Sequence, residues 1–251
     1  MKTITKLYGG EVILDFESFK HQYKYNGKLI PSVTTVLGII AKPALVNWAA
    51  GICADTIGEA WEPGRSYDEV EIQAIIEAGR KSHWQKKVDA GFTGTFVHKL
   101  VEQYIKGEQV AMPVNENLKR SFETFLTWVK EHEVKFLLSE QQIYSREHNY
   151  TGTLDFVCKI DGKMYVGDLK TSKAIYKTEY GSQIAAYKLA RQEEFPEEKY
   201  AGCLLIRIGK EDGDFEFWQF EDDTLYRDTF LAALKLYEKT EELKKLEAYH
   251  G

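Results

Sequence analysis

The stretch GTLDFVCKIDGKMYVGDLKTSK, residues 152–173, decides the fold of this 251-residue chain. Asp161-Gly162 separates two runs with the composition of β-strands, residues 153–160 and 163–170. An Asp-Gly pair between such runs is among the strongest local signals for a hairpin with a two-residue loop. The sequence therefore predicts that the two residues flanking the turn pair with each other and that the strands run antiparallel.

The register of this hairpin brings two carboxylates together. With Ile160 paired to Lys163, Asp155 lies directly opposite Asp168, at a Cβ separation of roughly 4.5–5.5 Å. Lys170 follows two residues later and shares the face of Asp168. Because like charges directly opposite one another destabilise a sheet, the pair predicts a hard divalent cation between the two side chains.

The composition is that of an ordinary globular protein, with 43% hydrophobic and 29% charged residues. A net charge of −6 does not mark a nucleic-acid-binding domain, although a groove on an acidic protein can be locally basic. The N-terminus lacks the apolar core of a signal peptide, and no apolar run is long enough to span a bilayer. We therefore expect a cytoplasmic protein with no membrane partner.

Three widely spaced cysteines indicate reduced thiols in a cytosolic compartment. They are Cys53, Cys158 and Cys203. Three are too few for a four-cysteine cluster within one chain, so we expect no iron–sulfur cluster.

The order of predicted elements indicates an α/β protein. Residues 1–30 have the pattern of short strands, and helices are predicted over residues 42–59, 68–89, 93–106 and 118–133. Strands then dominate, and a helix after Lys170 leads into a strand beginning near residue 201. A crossover helix of this kind permits one parallel neighbour in a small mixed sheet flanked by helices. A long helix from Thr224 closes the chain.

We expect residues 1–92 to form an N-terminal elaboration of short hairpins and mainly helices that is able to cover a substrate. Residues 93–251 would form the core, including the long C-terminal helix. With no linker-like segment between them, the two parts are expected to make one compact unit.

Four short motifs carry a resemblance to a known family. Asp155, followed by Asp168-Leu169-Lys170, resembles the active-site pattern of the PD-(D/E)XK nuclease superfamily. Gly94–His98 resembles the GxxxH motif of its RecB-like exonuclease branch, Gly152–Asp155 resembles GxxD, and Gln183–Tyr187 resembles QxxxY. The chain is similar to phage-type and mitochondrial genome-maintenance exonucleases, over residues 94–187. The resemblance implies a restriction-endonuclease-like core.

The resemblance also implies roles for individual residues. Asp155, Asp168 and Lys170 would be catalytic. The implied ligands of one or two Mg²⁺ or Mn²⁺ ions are His98, Asp155, Asp168 and the Leu169 carbonyl. Glu140 and Glu102 are candidates to support these ligands or to bind a second ion. Candidates for substrate binding are Gln183, Tyr187, Thr171, Lys173, Lys177 and Trp84.

Each motif also has a simpler interpretation. His98 could pair with Glu102 one helical turn later, and Gln183 with Tyr187 could merely pack on the sheet. Glu140 could be a surface charge. Trp84, like Trp48 and Phe92, could belong to a core instead of stacking on bases.

The function that the sequence favours is a metal-dependent DNA exonuclease of phage-type replication, recombination or repair, placed in the host cytoplasm if phage-encoded. Its partner would be DNA, single-stranded or with free ends. One alternative is a structure-specific or flap endonuclease. An alternative of another class is a nucleic-acid-binding subunit whose nuclease site is dead. Polarity, oligomeric state and protein partners are left open.

Overall fold

The structure, a computed structural model, describes residues 2–250 and divides into two compact units. One unit comprises residues 2–39 together with 97–250, and the other is Ile40–Phe96. Residues 2–39 thus belong with the central sheet, whereas the sequence had grouped them with the following helices up to residue 92.

Residues 2–30 form a four-stranded antiparallel sheet, which confirms the short strands predicted there. Asn26 and Gly27 make the tight turn between its last two strands, both with positive φ (50° and 75°), as the Asn-Gly pattern predicts. The sheet consists of β1 (Lys2–Leu7), β2 (Val12–Glu17), β3 (Gln22–Tyr25) and β4 (Lys28–Ile30). A short helix, α1 (Val33–Leu37), follows, and the Ser32 side chain caps it by accepting the Thr35 N–H.

The second unit contains helix α2 (Pro43–Ala60) and the first part of helix α3 (Glu69–Ile105). Two helices were expected where α3 runs without a break, so the prediction of an end near Gly91 is wrong. Glycine inside a helix costs only about 1 kcal/mol relative to alanine, so Gly91 and Gly94 do not by themselves end the helix. His98 and the rest of α3 after residue 96 belong to the first unit.

Helix α4 (Glu116–Glu131) is amphipathic and leads into the central sheet. Asn115 caps it by accepting the Leu118 N–H, and Phe122 and Phe125 are fully buried on its inner face. The remaining elements are β5 (Lys135–Ser145), β6 (Tyr150–Ile160), β7 (Lys163–Lys170), α5 (Lys177–Glu194), β8 (Tyr200–Ile208), β9 (Phe215–Phe220) and α6 (Thr224–His250).

The central sheet is mixed, with the strand order β5-β6-β7-β8-β9. Strands β7 and β8, joined by α5, are parallel, and the other neighbours are antiparallel. This arrangement confirms the predicted α/β class with a small mixed sheet. The hairpin register is also confirmed: Ile160 pairs with Lys163, and Asp161 and Gly162 have φ values of 50° and 78°.

Two hydrophobic clusters cover the two faces of this sheet. One contains residues of α1, α5 and α6, and the other contains residues of α3 and α4. No helix among residues 2–250 is both long and apolar enough to cross a membrane.

Candidate metal and catalytic centre

The centre lies where β6 and β7 stop following a regular ladder. Their paired residues end at Phe156 and Gly167, just short of the two aspartates. Leu154 belongs to the cluster on the α5 side, whereas Phe156 belongs to the cluster on the α4 side, so the alternation of faces along β6 breaks at Asp155. The predicted register is therefore confirmed as far as the Phe156–Gly167 pair, but the ladder does not extend to the expected pair of Asp155 with Asp168.

Asp155 is held by the backbone of the neighbouring strand. Its Oδ2 accepts a 2.6 Å hydrogen bond from the N–H of Leu169, the residue between Asp168 and Lys170. The side chain thus bridges the gap that opens between β6 and β7. This bond orients the carboxylate and leaves Oδ1 directed at another partner, His98.

Glu140 lies in the strand on the other side of Asp155. Its neighbours Ser139 and Gln141 pair with Phe156 and Leu154, which places Glu140 opposite Asp155 in the register. Glu140 itself has a φ of 50°, a left-handed conformation in the middle of a strand. Such a conformation costs about 1–3 kcal/mol for a residue other than glycine and is common at functional sites.

Three side chains from separate elements converge at this point. His98 comes from α3, Glu140 from β5 and Asp155 from β6, and one potential ligand atom of each lies within 4.8 Å of the other two. His98 Nδ1 is 3.5 Å from Asp155 Oδ1. One imidazole and two carboxylates make a donor set that fits a divalent cation, and the nitrogen suits Mn²⁺ better than Mg²⁺.

The charges of this group are strongly linked. Burial opposes protonation of His98, but the carboxylates of Asp155, Asp168 and Glu140 outweigh it and raise the pKa of His98 to about 8. Desolvation of the Glu140 carboxyl group, together with the Asp155 carboxylate, raises the pKa of Glu140 to about 7. Burial also opposes ionisation of Asp155, yet His98 and Lys170 lower its pKa.

Asp168 belongs to a second polar group on the α5 side of the sheet. Its Oδ2 is 2.6 Å from Lys170 Nζ, and its Oδ1 accepts a 3.3 Å hydrogen bond from Gln183 Nε2. Lys170 Nζ also donates to Gln183 Oε1 at 2.9 Å, and Gln183 Nε2 is 3.0 Å from Tyr187 Oη. Asp168 is therefore tied to Lys170 and Gln183 and is not part of the three-residue group.

The Asp168–Lys170 pair is deeply buried, with side-chain exposures of 2% and 15%. Burial is the main reason that the pKa of Asp168 is raised to about 6, and the Asp155 carboxylate adds to this while Lys170 opposes it. Burial disfavours the Lys170 ammonium, but Asp168 and Asp155 more than offset it and raise the pKa of Lys170. Lys170 is therefore a fixed positive charge at neutral pH.

A glycine allows helix α5 to approach the sheet at this site. A Cβ on Gly152 would lie 2.7 Å from Cε1 of the buried Tyr187 ring. The first residue of the GxxD motif thus makes room for the last residue of the QxxxY motif. The packing of Tyr187 in turn positions Gln183, because the two residues are one helical turn apart and hydrogen-bonded.

Several predicted site residues lie elsewhere or have other partners. Glu102 Oε1 is 2.5 Å from Lys106 Nζ, so the alternative His98–Glu102 pair is not formed, although the Glu102 charge helps to raise the pKa of Glu140. Lys177 Nζ lies over the Trp218 ring, 4.9 Å from its centre.

Three further residues predicted to bind substrate are half-buried or exposed. Thr171 directly follows Lys170 and is half-buried, and Lys173 is exposed. Trp84 is 60% exposed and belongs to the unit Ile40–Phe96, as do Trp48 and Phe92.

Two tyrosines near the site were missed from the sequence. Tyr180 places its ring 4.6 Å from Lys170 Nζ, and Tyr23 Oη is 3.0 Å from Thr153 Oγ1, two residues before Asp155. Tyr180 precedes Gln183 by three residues on α5, a spacing that puts both on one helix face and could have identified it. Tyr23 comes from β3, and no local pattern signals its approach to β6.

The site combines a group able to bind a cation with an adjacent buried carboxylate–ammonium pair. A divalent cation and a fixed positive charge together suit chemistry on an anionic substrate such as a phosphodiester. No protein-family model matches the chain, and no curated protein matches it at a significant level.

Proposed function

We propose that this protein is a divalent-metal-dependent deoxyribonuclease of the PD-(D/E)XK type, acting as an exonuclease on DNA ends. The observation that carries the proposal is the convergence of His98, Glu140 and Asp155 beside the Asp168–Lys170 pair. These residues come from four elements spread over more than 70 positions in the sequence. Their convergence agrees with the order of motifs that resembles the RecB-like exonuclease branch.

His98, Glu140 and Asp155 would hold the cation. When bound, a cation of this kind supplies Lewis acidity and lowers the pKa of water. Leu169, through its N–H, keeps the Asp155 carboxylate turned toward the group. Asp168 lies close enough to influence His98 and Asp155 electrostatically.

Lys170 acts as a charge, not as a base. Its raised pKa keeps the ammonium protonated, so it stabilises negative charge that develops on phosphoryl oxygens during hydrolysis. Gln183 and Asp168 both hold this ammonium in place, which reduces the reorganisation needed during the reaction. Gln183 and Tyr187 therefore position Lys170 in addition to any contact with DNA.

The test is cleavage of matched linear and covalently closed circular single-stranded DNA with Mn²⁺ or Mg²⁺. We expect wild type to degrade the linear strand and to spare the circle, and Lys170→Ala to cleave neither. Lys199→Ala, the same change at an exposed lysine, is the matched control and should cleave as wild type.

Two outcomes would overturn parts of the proposal. Comparable cutting of the circle would favour a structure-specific or flap endonuclease with the same chemistry. Binding of DNA by a folded wild type without any cleavage in either metal would favour the alternative of a catalytically dead binding subunit.

A further inference from the structure

A row of side chains leads from Lys170 to the protein surface at the start of helix α5. Lys170 Nζ lies over the ring of Tyr180, 4.6 Å from its centre. The Tyr180 ring meets that of Tyr176 edge to face, with 5.6 Å between ring centres and 70° between ring planes. Tyr180 is half-buried, whereas Tyr176 is 52% exposed.

The backbone holds the two rings in this relation. Tyr176 is the residue that precedes α5, and its carbonyl accepts the N–H of Tyr180 at 2.9 Å, closing the first turn of the helix. Residues four apart on a helix are neighbours, so the first turn of α5 keeps the two rings together. The exposed ring is therefore preformed and does not need to be ordered when a ligand arrives.

The surroundings of Tyr176 are cationic. Lys173 and Lys177 flank it in the sequence and are both exposed, and Lys177 lies over the Trp218 ring. An exposed aromatic ring with cations beside it is how proteins bind single-stranded nucleic acid, since bases stack on the ring and phosphates meet the cations.

We propose that Tyr176 is a stacking platform for an unpaired base of a single-stranded DNA substrate, next to the nucleotide whose phosphate meets Lys170. This inference rests on the proposed nuclease function. The base is taken without regard to its identity, because the ring offers only a π-face and every base can stack on it. Tyr180 has a different role. The face of its ring positions the Lys170 ammonium, and its ring also contacts the Tyr176 ring edge to face.

The test measures binding of a fluorescent single-stranded oligonucleotide in metal-free buffer, where cleavage does not interfere. Loss of one stacked base weakens binding by about 5- to 150-fold, so we expect a loss in this range for Tyr176→Ala. Tyr176→Phe keeps the ring and should bind as wild type. Phe19→Ala removes another exposed ring, 92% exposed in the turn after β2, and is the matched control that should also bind as wild type.

Cleavage with Mn²⁺ separates binding from chemistry. A platform acts before the reaction, so Tyr176→Ala should raise KM by a similar factor while kcat changes less than threefold. If wild type cleaves DNA but Tyr176→Ala binds the oligonucleotide as tightly as wild type, only this inference is overturned. A larger loss on duplex than on single-stranded DNA would also overturn it. A folded wild type that cleaves no DNA would instead overturn the proposed function.

Discussion

Replacing Lys170 with methionine should destabilise the protein even before any metal or DNA is added. The change removes the ammonium 2.6 Å from Asp168 and leaves a carboxylate whose side chain is only 2% exposed. Removing one partner of a buried ion pair costs about 3–5 kcal/mol, because the remaining charge is buried without compensation. We take the lower value, about 3 kcal/mol, since Gln183 still donates to Asp168.

The loss should depend on pH. The pKa of Asp168 is already raised to about 6, and without the Lys170 charge it rises further. A group with a raised pKa in the folded state stabilises the protein at low pH, and this stabilisation is lost as the pH rises through that pKa. The penalty of Lys170→Met is therefore full near pH 8 and falls to about 1 kcal/mol or less near pH 5, where Asp168 takes up a proton.

Thermal unfolding in metal-free buffer measures this effect. For a chain of this size about 3 kcal/mol corresponds to a fall in Tm of about 6–12 °C at pH 8. Lys199→Met, at an exposed lysine, is the control and should change Tm by about 2 °C or less. The double variant Asp168→Asn with Lys170→Met removes both charges and should recover most of the loss. A single variant as stable as wild type at pH 8 would refute the account of a buried pair.

Three further predictions concern the metal group and its support. Mn²⁺ should raise the Tm of wild type by about 5–11 °C at a hundredfold excess over Kd, and by much less in His98→Ala or Glu140→Gln. Equal shifts in all three would exclude these ligands. Mn²⁺ affinity should increase from pH 6 to 8 and level off above pH 8, because His98 (pKa about 8) and Glu140 (pKa about 7) must lose protons to bind the ion. Calorimetry in two buffers should detect the released protons, and an affinity that does not change with pH would contradict the assignment of these ligands. Gly152→Ala should lower the free energy of unfolding by about 1–3 kcal/mol, because the added methyl group presses on Tyr187. Gly58→Ala, with open space around it, should not destabilise the protein. Equal effects of the two changes would argue against the close approach of Tyr187 to Gly152.

The hairpin that brings the two aspartates near each other was predictable because its signal is local. Asp161-Gly162 specifies its turn by the positive φ that both residues adopt, and the turn alone determines the pairing up to Phe156. The parallel neighbour of β7 was predictable for a similar reason, since a helix between two strands permits it. The restriction-endonuclease-like identity of the core stays a prediction.

The rest of the site depends on contacts that no local pattern encodes. Glu140 adopts a positive φ that glutamate rarely takes, and only its position opposite Asp155 and beside His98 accounts for it. The different contacts of Asp155 and Asp168 could not be predicted from the sequence either. The break in alternation at Asp155 turns the two carboxylates toward different partners, the Leu169 N–H for Asp155 and Lys170 for Asp168.

In the helical part of the N-terminal region, the sequence predicted a helix end that the structure does not have. Gly91 was interpreted as a helix end, but a glycine inside a helix costs only about 1 kcal/mol relative to alanine, and α3 continues to Ile105. Short strands were predicted over residues 1–30, but their assembly into one sheet was not. Sheet order depends on long-range pairing, which a single sequence does not display.

The most direct measurement of the central claim is the rate at which an end-labelled linear single strand of DNA is cleaved as Mn²⁺ is titrated. Wild type, Asp155→Asn and Glu123→Gln, an exposed carboxylate on α4, would be compared. We expect no cleavage in EDTA, metal-dependent cleavage by wild type and Glu123→Gln, and a loss of at least about a hundredfold for Asp155→Asn. Cleavage that persists in EDTA, or an Asp155→Asn variant as active as wild type, would contradict the account.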